Sequence, residues 1–145
     1  MRSTRKVKTR LRPYCDAVDL NLGCPQHIAR KGHYGAYLML TEKDRELVTE
    51  MISAAKHHHH ITVKIRVFED IEKTIDYAKK IEAAGASALT VHGRTIEQKR
   101  DLTGIASWEH IRKVKESVKI PIIANGNIRK LSYQKTSAVI TCIFH

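Results

Sequence analysis

The seven residues ITVKIRV, positions 61–67, decide how the rest of the chain is read. Ile61, Val63, Ile65 and Val67 alternate with Thr62, Lys64 and Arg66, the period of a β-strand. A parallel strand covered by helices on both sides should be apolar on both faces. Here one face carries two cations. It is either the solvent side of an edge strand, the wall of a polar lumen, or the seat of an anionic or electron-rich ligand. An ammonium is unfavourable to bury without an acceptor.

The flanking segments repeat a strand-then-helix grammar. Upstream, Val18, Leu20 and Leu22 alternate with Asp19 and Asn21, giving a strand over about 16–22 that Gly23 and Pro25 end, with Cys24 at its tip. A loop through Gly32 and Gly35 leads to a helix over about 42–56. Thr41 and Asp44 open it in a capping-box pattern, and Leu47, Met51 and Ala55 give it an apolar face. Downstream, a helix over about 71–84 turns Ile71, Ile75, Ala78 and Ile81 inward and stops at Gly85. A strand follows over about 87–92, then a long polar loop from Gly93 to Ala106. A helix capped by Ser107 buries Trp108, Ile111, Val114 and Val118, and a last strand, 120–125, runs into Asn125-Gly126-Asn127. Four strand–helix units without hairpin signals predict an α/β fold with a parallel sheet, either an open doubly wound sheet or a (β/α)8 barrel.

The polar residues choose between them. Cys24, Lys64, His92 and Asn125 lie at or near the C-terminal ends of successive strands, 40, 28 and 33 residues apart. In a TIM-type (β/α)8 barrel those ends converge on one mouth, whereas an open sheet gathers such groups only around its switch point. The barrel is favoured, although four strands cannot close one. His92-Gly93-Arg94 offers donors beside a glycine, and Asn125-Gly126-Asn127 alone would pass for turn chemistry. His57–His60, four adjacent histidines before a strand, read as a solvated turn.

Composition sets the outer bounds. At 145 residues the chain is long enough for one domain, and 42% hydrophobic with 28% charged residues is ordinary for a globular protein. No apolar run approaches the ~20 residues of a membrane span, and no secretory signal is expected. The three cysteines, Cys15, Cys24 and Cys142, cannot all pair and match no metal-ligand spacing, which suggests a reducing compartment and no metal. The net charge is +11, of which residues 1–12 supply six cations and no acid, leaving +5 on the remainder. That surplus fits a polyanionic partner such as nucleic acid, or a soluble basic protein with a disordered arm.

Five segments in this order and spacing resemble the tRNA-dihydrouridine synthases: DLNLGCPQ (19–26), GHYGAYLM (32–39), VKIRV (63–67), LTVHGRT (89–95) and IPIIANGNI (120–128). PYCDAVDLNLGCPQ, HGRTIEQK and ASWEHI look most like the eukaryotic tRNA-dihydrouridine(16/17) synthase branch. The resemblance implies an FMN-dependent TIM barrel that uses NADPH, or NADH, to reduce the C5–C6 bond of a uridine in the tRNA D-loop. Cys24 matches the catalytic general acid. Lys64 and His92 match flavin-contacting residues, and Asn125, Gly126 and Asn127 match the cofactor's backbone-and-amide cradle. Asn21 matches an active-site asparagine and, with Arg94, is expected on the substrate side. The implied partner is tRNA, with neither membrane nor metal, and the implied location is the cytoplasm, with the nucleus as an alternative.

The resemblance covers residues 13–128, equivalent to barrel strands three to six. Residues 1–12 form a basic arm expected to be disordered. Residues 129–145 diverge, reading like a truncated or alternatively spliced end. Open sheet edges make self-association an expectation, and weak FMN binding by the chain alone is another. Two other readings remain: a non-catalytic tRNA-binding or interaction fragment, and a flavin barrel oxidoreductase acting on a small molecule.

Overall fold

A computed structural model describes residues 15–127. The basic arm and the tail from 129 onward lie outside the described residues. Four strands, β1 (Ala17–Leu22), β2 (His60–Arg66), β3 (Ala88–His92) and β4 (Ile122–Asn125), form one sheet in the order β1-β2-β3-β4. All three pairings are parallel. Each strand lies beside its neighbour in sequence, so the order never reverses as it does at the switch point of a doubly wound sheet. This is the consecutive winding of a (β/α)8 barrel.

Strand parity divides the sheet into two faces. On one, Leu22, Ile65, Val91 and Ala124 form a register row, with Val63, Leu89 and Ile122 in the row below. All seven are fully buried in the main core. The helices supply the other half of that core: α2 (Glu42–Ala55), α3 (Ile71–Ala84) and α4 (Trp108–Ser117). Their starts obey ordinary capping. Thr41, Asp70 and Ser107 side chains accept the backbone N–H of Asp44, Glu72 and His110. The opposite face carries Asn21, Lys64 and Thr90 in one register row and Arg66, His92 and Asn125 in the next.

The apolar face of α2 is rotated from the expected one. Val48 and Ile52 are buried, whereas Leu47 is 45% exposed and Met51 and Ala55 only half-buried. The cause lies in the first turn. Arg45 folds inward to donate to the carbonyls of Met39 (2.6 Å) and Leu40 (3.1 Å), and the row 45-48-52 follows it onto the sheet. β4 starts two residues later than expected. Pro121 has no N–H, and the N–H groups of Lys119 and Ile120 are taken by Glu82 Oε1 at 2.6 and 2.9 Å. Two short elements that no sequence signal announced, α1 (His27–Lys31) and a 3-10 turn at Gly35–Met39, occupy the expected loop after β1.

The rotated face is testable by urea denaturation. Ile52→Ala should lose about 2–5 kcal/mol, and Leu47→Ala should stay within about 0.5 kcal/mol; equal losses would contradict the assignment.

Candidate active site

The strand β1 ends in a loop whose carbonyls are tied down one after another. Asn21 Oδ1 accepts the N–H of Gly23 at 3.0 Å and starts the turn. The Gly23 carbonyl accepts Arg66 Nε at 2.9 Å, and the Cys24 carbonyl accepts the N–H of Ala36 at 3.0 Å. The Pro25 carbonyl accepts both Tyr37 Oη (3.2 Å) and Lys99 Nζ (3.1 Å). Gly35 sits against this loop with φ +63°, and a Cβ there would lie 2.8 Å from the Cys24 carbonyl oxygen and 2.9 Å from the Cys24 Cβ. Both the backbone conformation and the space demand glycine. Cys24 itself is half-buried and not in a disulfide.

Arg66, at the end of β2, is buried. Besides Gly23, it donates through Nη1 to the carbonyls of Thr95 (2.7 Å) and Gln98 (3.2 Å), joining β2 to two loops. Burial pulls its pKa down, and the nearby Arg94 adds to the effect. Two positions earlier on the same face, Lys64 makes no hydrogen bond or ion pair among the described residues and is half-exposed. Lys64 thus brings an uncommitted ammonium to the strand ends.

His92 ends β3 beside Arg66 in register. Its Nε2 lies 3.1 Å from Arg94 Nη1. A guanidinium can only donate, so Nε2 accepts and the neutral ring carries its proton on Nδ1. Burial, reinforced by Arg66, Arg94 and Lys64, pushes the His92 pKa down to about 4. Arg94 is committed elsewhere too: it donates to the Gly104 carbonyl at 3.2 and 3.1 Å and to Asn127 Oδ1 at 2.7 Å. Asn127 Oδ1 also accepts the N–H of Ala106 at 2.8 Å. Gly126, at φ +112°, passes so close to His92 that a Cβ would lie 3.1 Å from its Cδ2. The Asn125 carbonyl accepts the N–H of Gly93, while its amide side chain is uncommitted among the described residues.

The strand ends therefore bring together Cys24, Lys64, His92 and Asn125, and Asn21 adjoins the same turn. Arg94 and Asn127 are placed differently from Lys64 and Asn125, because their polar atoms already brace the 93–106 loop. Arg66 was visible in the sequence only as a cation of the right parity; its three carbonyl partners come from distant loops. Gln98 and Lys99 were visible only as part of the HGRTIEQK stretch that carries the resemblance, with no signal of what they contact. Arg66, His92, Arg94, Gln98 and Lys99 line a cleft of about 820 Å³ together with Pro25, Gln26 and Arg100, and no carboxylate of the described residues lines it; Cys24, Lys64 and Asn125 lie outside that lining.

The far end of the sheet differs. His57–His59 lie in a turn and His60 opens β2, near Cys15 and Asp16. No group of three or more His, Cys, Asp or Glu able to hold a metal ion occurs among the described residues. No helix there is long and apolar enough to cross a membrane.

A consecutively wound parallel sheet, apolar beneath its helices and polar where its strand ends meet a cleft, defines a (β/α)8-barrel protein with its site at the C-terminal ends of the strands. Solved structures of this architecture agree. A dihydrodipicolinate synthase from Agrobacterium tumefaciens str. C58 superposes with a TM-score of 0.59 at 21% identity, covering 85% of this chain and 37% of that one. The sequence model for dihydrouridine synthase (Dus) matches residues 4–142, past both ends of the 13–128 span that the motifs suggested. The chain belongs to the dihydrouridine synthase family.

Among its relatives, a Mus musculus protein named as a tRNA-dihydrouridine(16/17) synthase, NAD(P)(+)-like, is 54% identical over 120 residues, 81% of this chain and 25% of that protein. The Schizosaccharomyces pombe tRNA-dihydrouridine(16/17) synthase is 50% identical over 122 residues, 80% of this chain and 29% of that protein. The chain spans about a quarter of the length of these relatives.

The depressed His92 pKa has a consequence for pH. The unfolded imidazole, near its ordinary value of 6.5, binds a proton that the folded one refuses until about pH 4. Stability should therefore be intact above about pH 6.5 and fall as pH drops towards about 4. His92→Gln should flatten that fall in urea midpoints, and the His92 ring should show no NMR titration between about pH 5.5 and 8. A midpoint inside that window would contradict the neutral assignment.

Proposed function

We propose that this chain carries the catalytic cysteine of an enzyme that reduces a uridine of tRNA to dihydrouridine, and that Cys24 is the proton donor. The observation that carries this reading is the Cys24 loop: three successive carbonyls are anchored, so the backbone that carries the thiol is held in one geometry, next to the Pro25 wall of a cation-lined cleft. Thiols titrate near about 8.5 and are ordinarily protonated at neutral pH, as a donor to uracil C5 must be. The cleft's cations suit a polyanion, and the target base would leave its stack to enter.

The residues also fit FMN. Lys64 offers a free ammonium, Asn125 a free amide and His92 a neutral ring on one polar face, the donor set expected around an electron-rich heterocycle. When bound and reduced by NADPH or NADH, FMN would supply the hydride for uracil C6. Lys64, His92 and Asn125 would hold it, and the Lys64 charge would stabilise negative charge developing beside it. Asn21 fixes the turn below the thiol. Arg94 and Asn127 fix the 93–106 loop that walls the cleft.

A second reading rests on the chain's spanning about a quarter of its relatives: a segment that binds tRNA without turnover. Dihydrouridine in tRNA from cells lacking the native synthase, with and without the chain, separates the two. With FMN binding by the chain alone expected to be weak, the dihydrouridine that the catalytic reading requires should be low, and it should fall at least ~100-fold further with Cys24→Ala. Gel-shifted tRNA with no dihydrouridine would leave the binding segment, and undiminished dihydrouridine from Cys24→Ala would remove the cysteine from the mechanism.

A further inference from the structure

We infer that Arg66 and Lys99 are positioning residues for Cys24, clamping the backbone on either side of the thiol. The carbonyl before Cys24 is held by Arg66 Nε (2.9 Å) and the carbonyl after it by Lys99 Nζ (3.1 Å). The two clamps meet in one segment. Arg66 also donates to the carbonyls of Thr95 and Gln98, and Lys99 is the next residue along. Tyr37 Oη bonds to both Pro25 and Lys99, so the second clamp is itself braced. The 95–99 segment thus reaches Cys24 through two cations from opposite sides.

Arg66 does more than hold backbone. It is buried, and the Cys24 sulfur lies close enough for the guanidinium to feel its charge. The other charged groups around the loop are Lys64 on β2, His92 and Arg94 at the end of β3, and Glu97 beside Arg66. A lysine at position 66 would keep the charge. A single ammonium could not span the Gly23 carbonyl and the Thr95 and Gln98 carbonyls as the planar fork does.

This inference rests on the reading of Cys24 as proton donor, and its test is chosen to fail separately from that reading. The thiolate is the form that reacts with iodoacetamide, so alkylation of the Cys24 peptide, followed by mass spectrometry over about pH 6 to 10, reads the thiol without turnover. Its limiting rate, reached at high pH, reports access to the thiol. For the intact chain, Arg66→Lys, Arg66→Met and Lys99→Met, all checked for folding by circular dichroism, we expect three patterns. Arg66→Lys should raise the limiting rate about fivefold, the effect of one net hydrogen bond on a local opening. Lys99→Met should raise the limiting rate similarly. Arg66→Met should raise it at least as much as Arg66→Lys.

Wild-type limiting rates in Arg66→Lys and Lys99→Met would overturn the proposal. So would an Arg66→Lys chain that no longer folds, since that would reduce Arg66 to a structural role.

Discussion

A strand side chain can face only one of two ways, and in this sheet that rule sorts chemistry from packing. Ile61, Val63 and Ile65 go under the helices with the matching residues of β1, β3 and β4. Thr62, Lys64 and Arg66 are thereby forced onto the other side. A slip of one residue in β2 would send Lys64 and Arg66 into a core that has no acceptor for them and bring Val63 and Ile65 out. The burial of the apolar row is therefore what aims the polar one. Parallel pairing then stacks Arg66, His92 and Asn125 into a single row at one end.

From that row the site is assembled by loops rather than strands. Arg66 supplies the connection because its fork reaches three carbonyls from two different segments. Arg94 plays the matching part on the far side, where Gly104, Asn127 and His92 converge. Each guanidinium is a tie between irregular backbone and the regular sheet. The segments that carry exposed apolar side chains, such as Leu102 and Ile105, hang from these ties.

How much of this could be read beforehand follows the same division. Period and capping signals are local, so the strands, the helices after Thr41 and Ser107, and the position of Cys24, Lys64, His92 and Asn125 at or near successive strand ends were legible. The face of α2 was not, because 47-51-55 and 48-52 are both apolar rows and only the inward turn of Arg45 decides between them. Nor were α1 and the Gly35–Met39 turn, which are too short to show a period and are held largely by the cysteine loop they pack against. The opposite commitments of Asn125 and Asn127, two residues apart in one tripeptide, depend on where Ala106 and Arg94 arrive from the preceding unit. No spacing within 125–127 encodes that.

That no carboxylate of the described residues lines the cleft carries a thermodynamic consequence. Arg66, Arg94 and Lys64 all act on the same imidazole and in the same sense, which means that they also act against one another. The fold gathers like charges at its mouth, offset at Arg66 by Glu97, and so holds the site under electrostatic tension. Any anion that enters relieves the tension, and the relief is available only to the folded chain. Binding and folding are thus linked through charge, and the cleft is a place where a negatively charged guest would tighten the host.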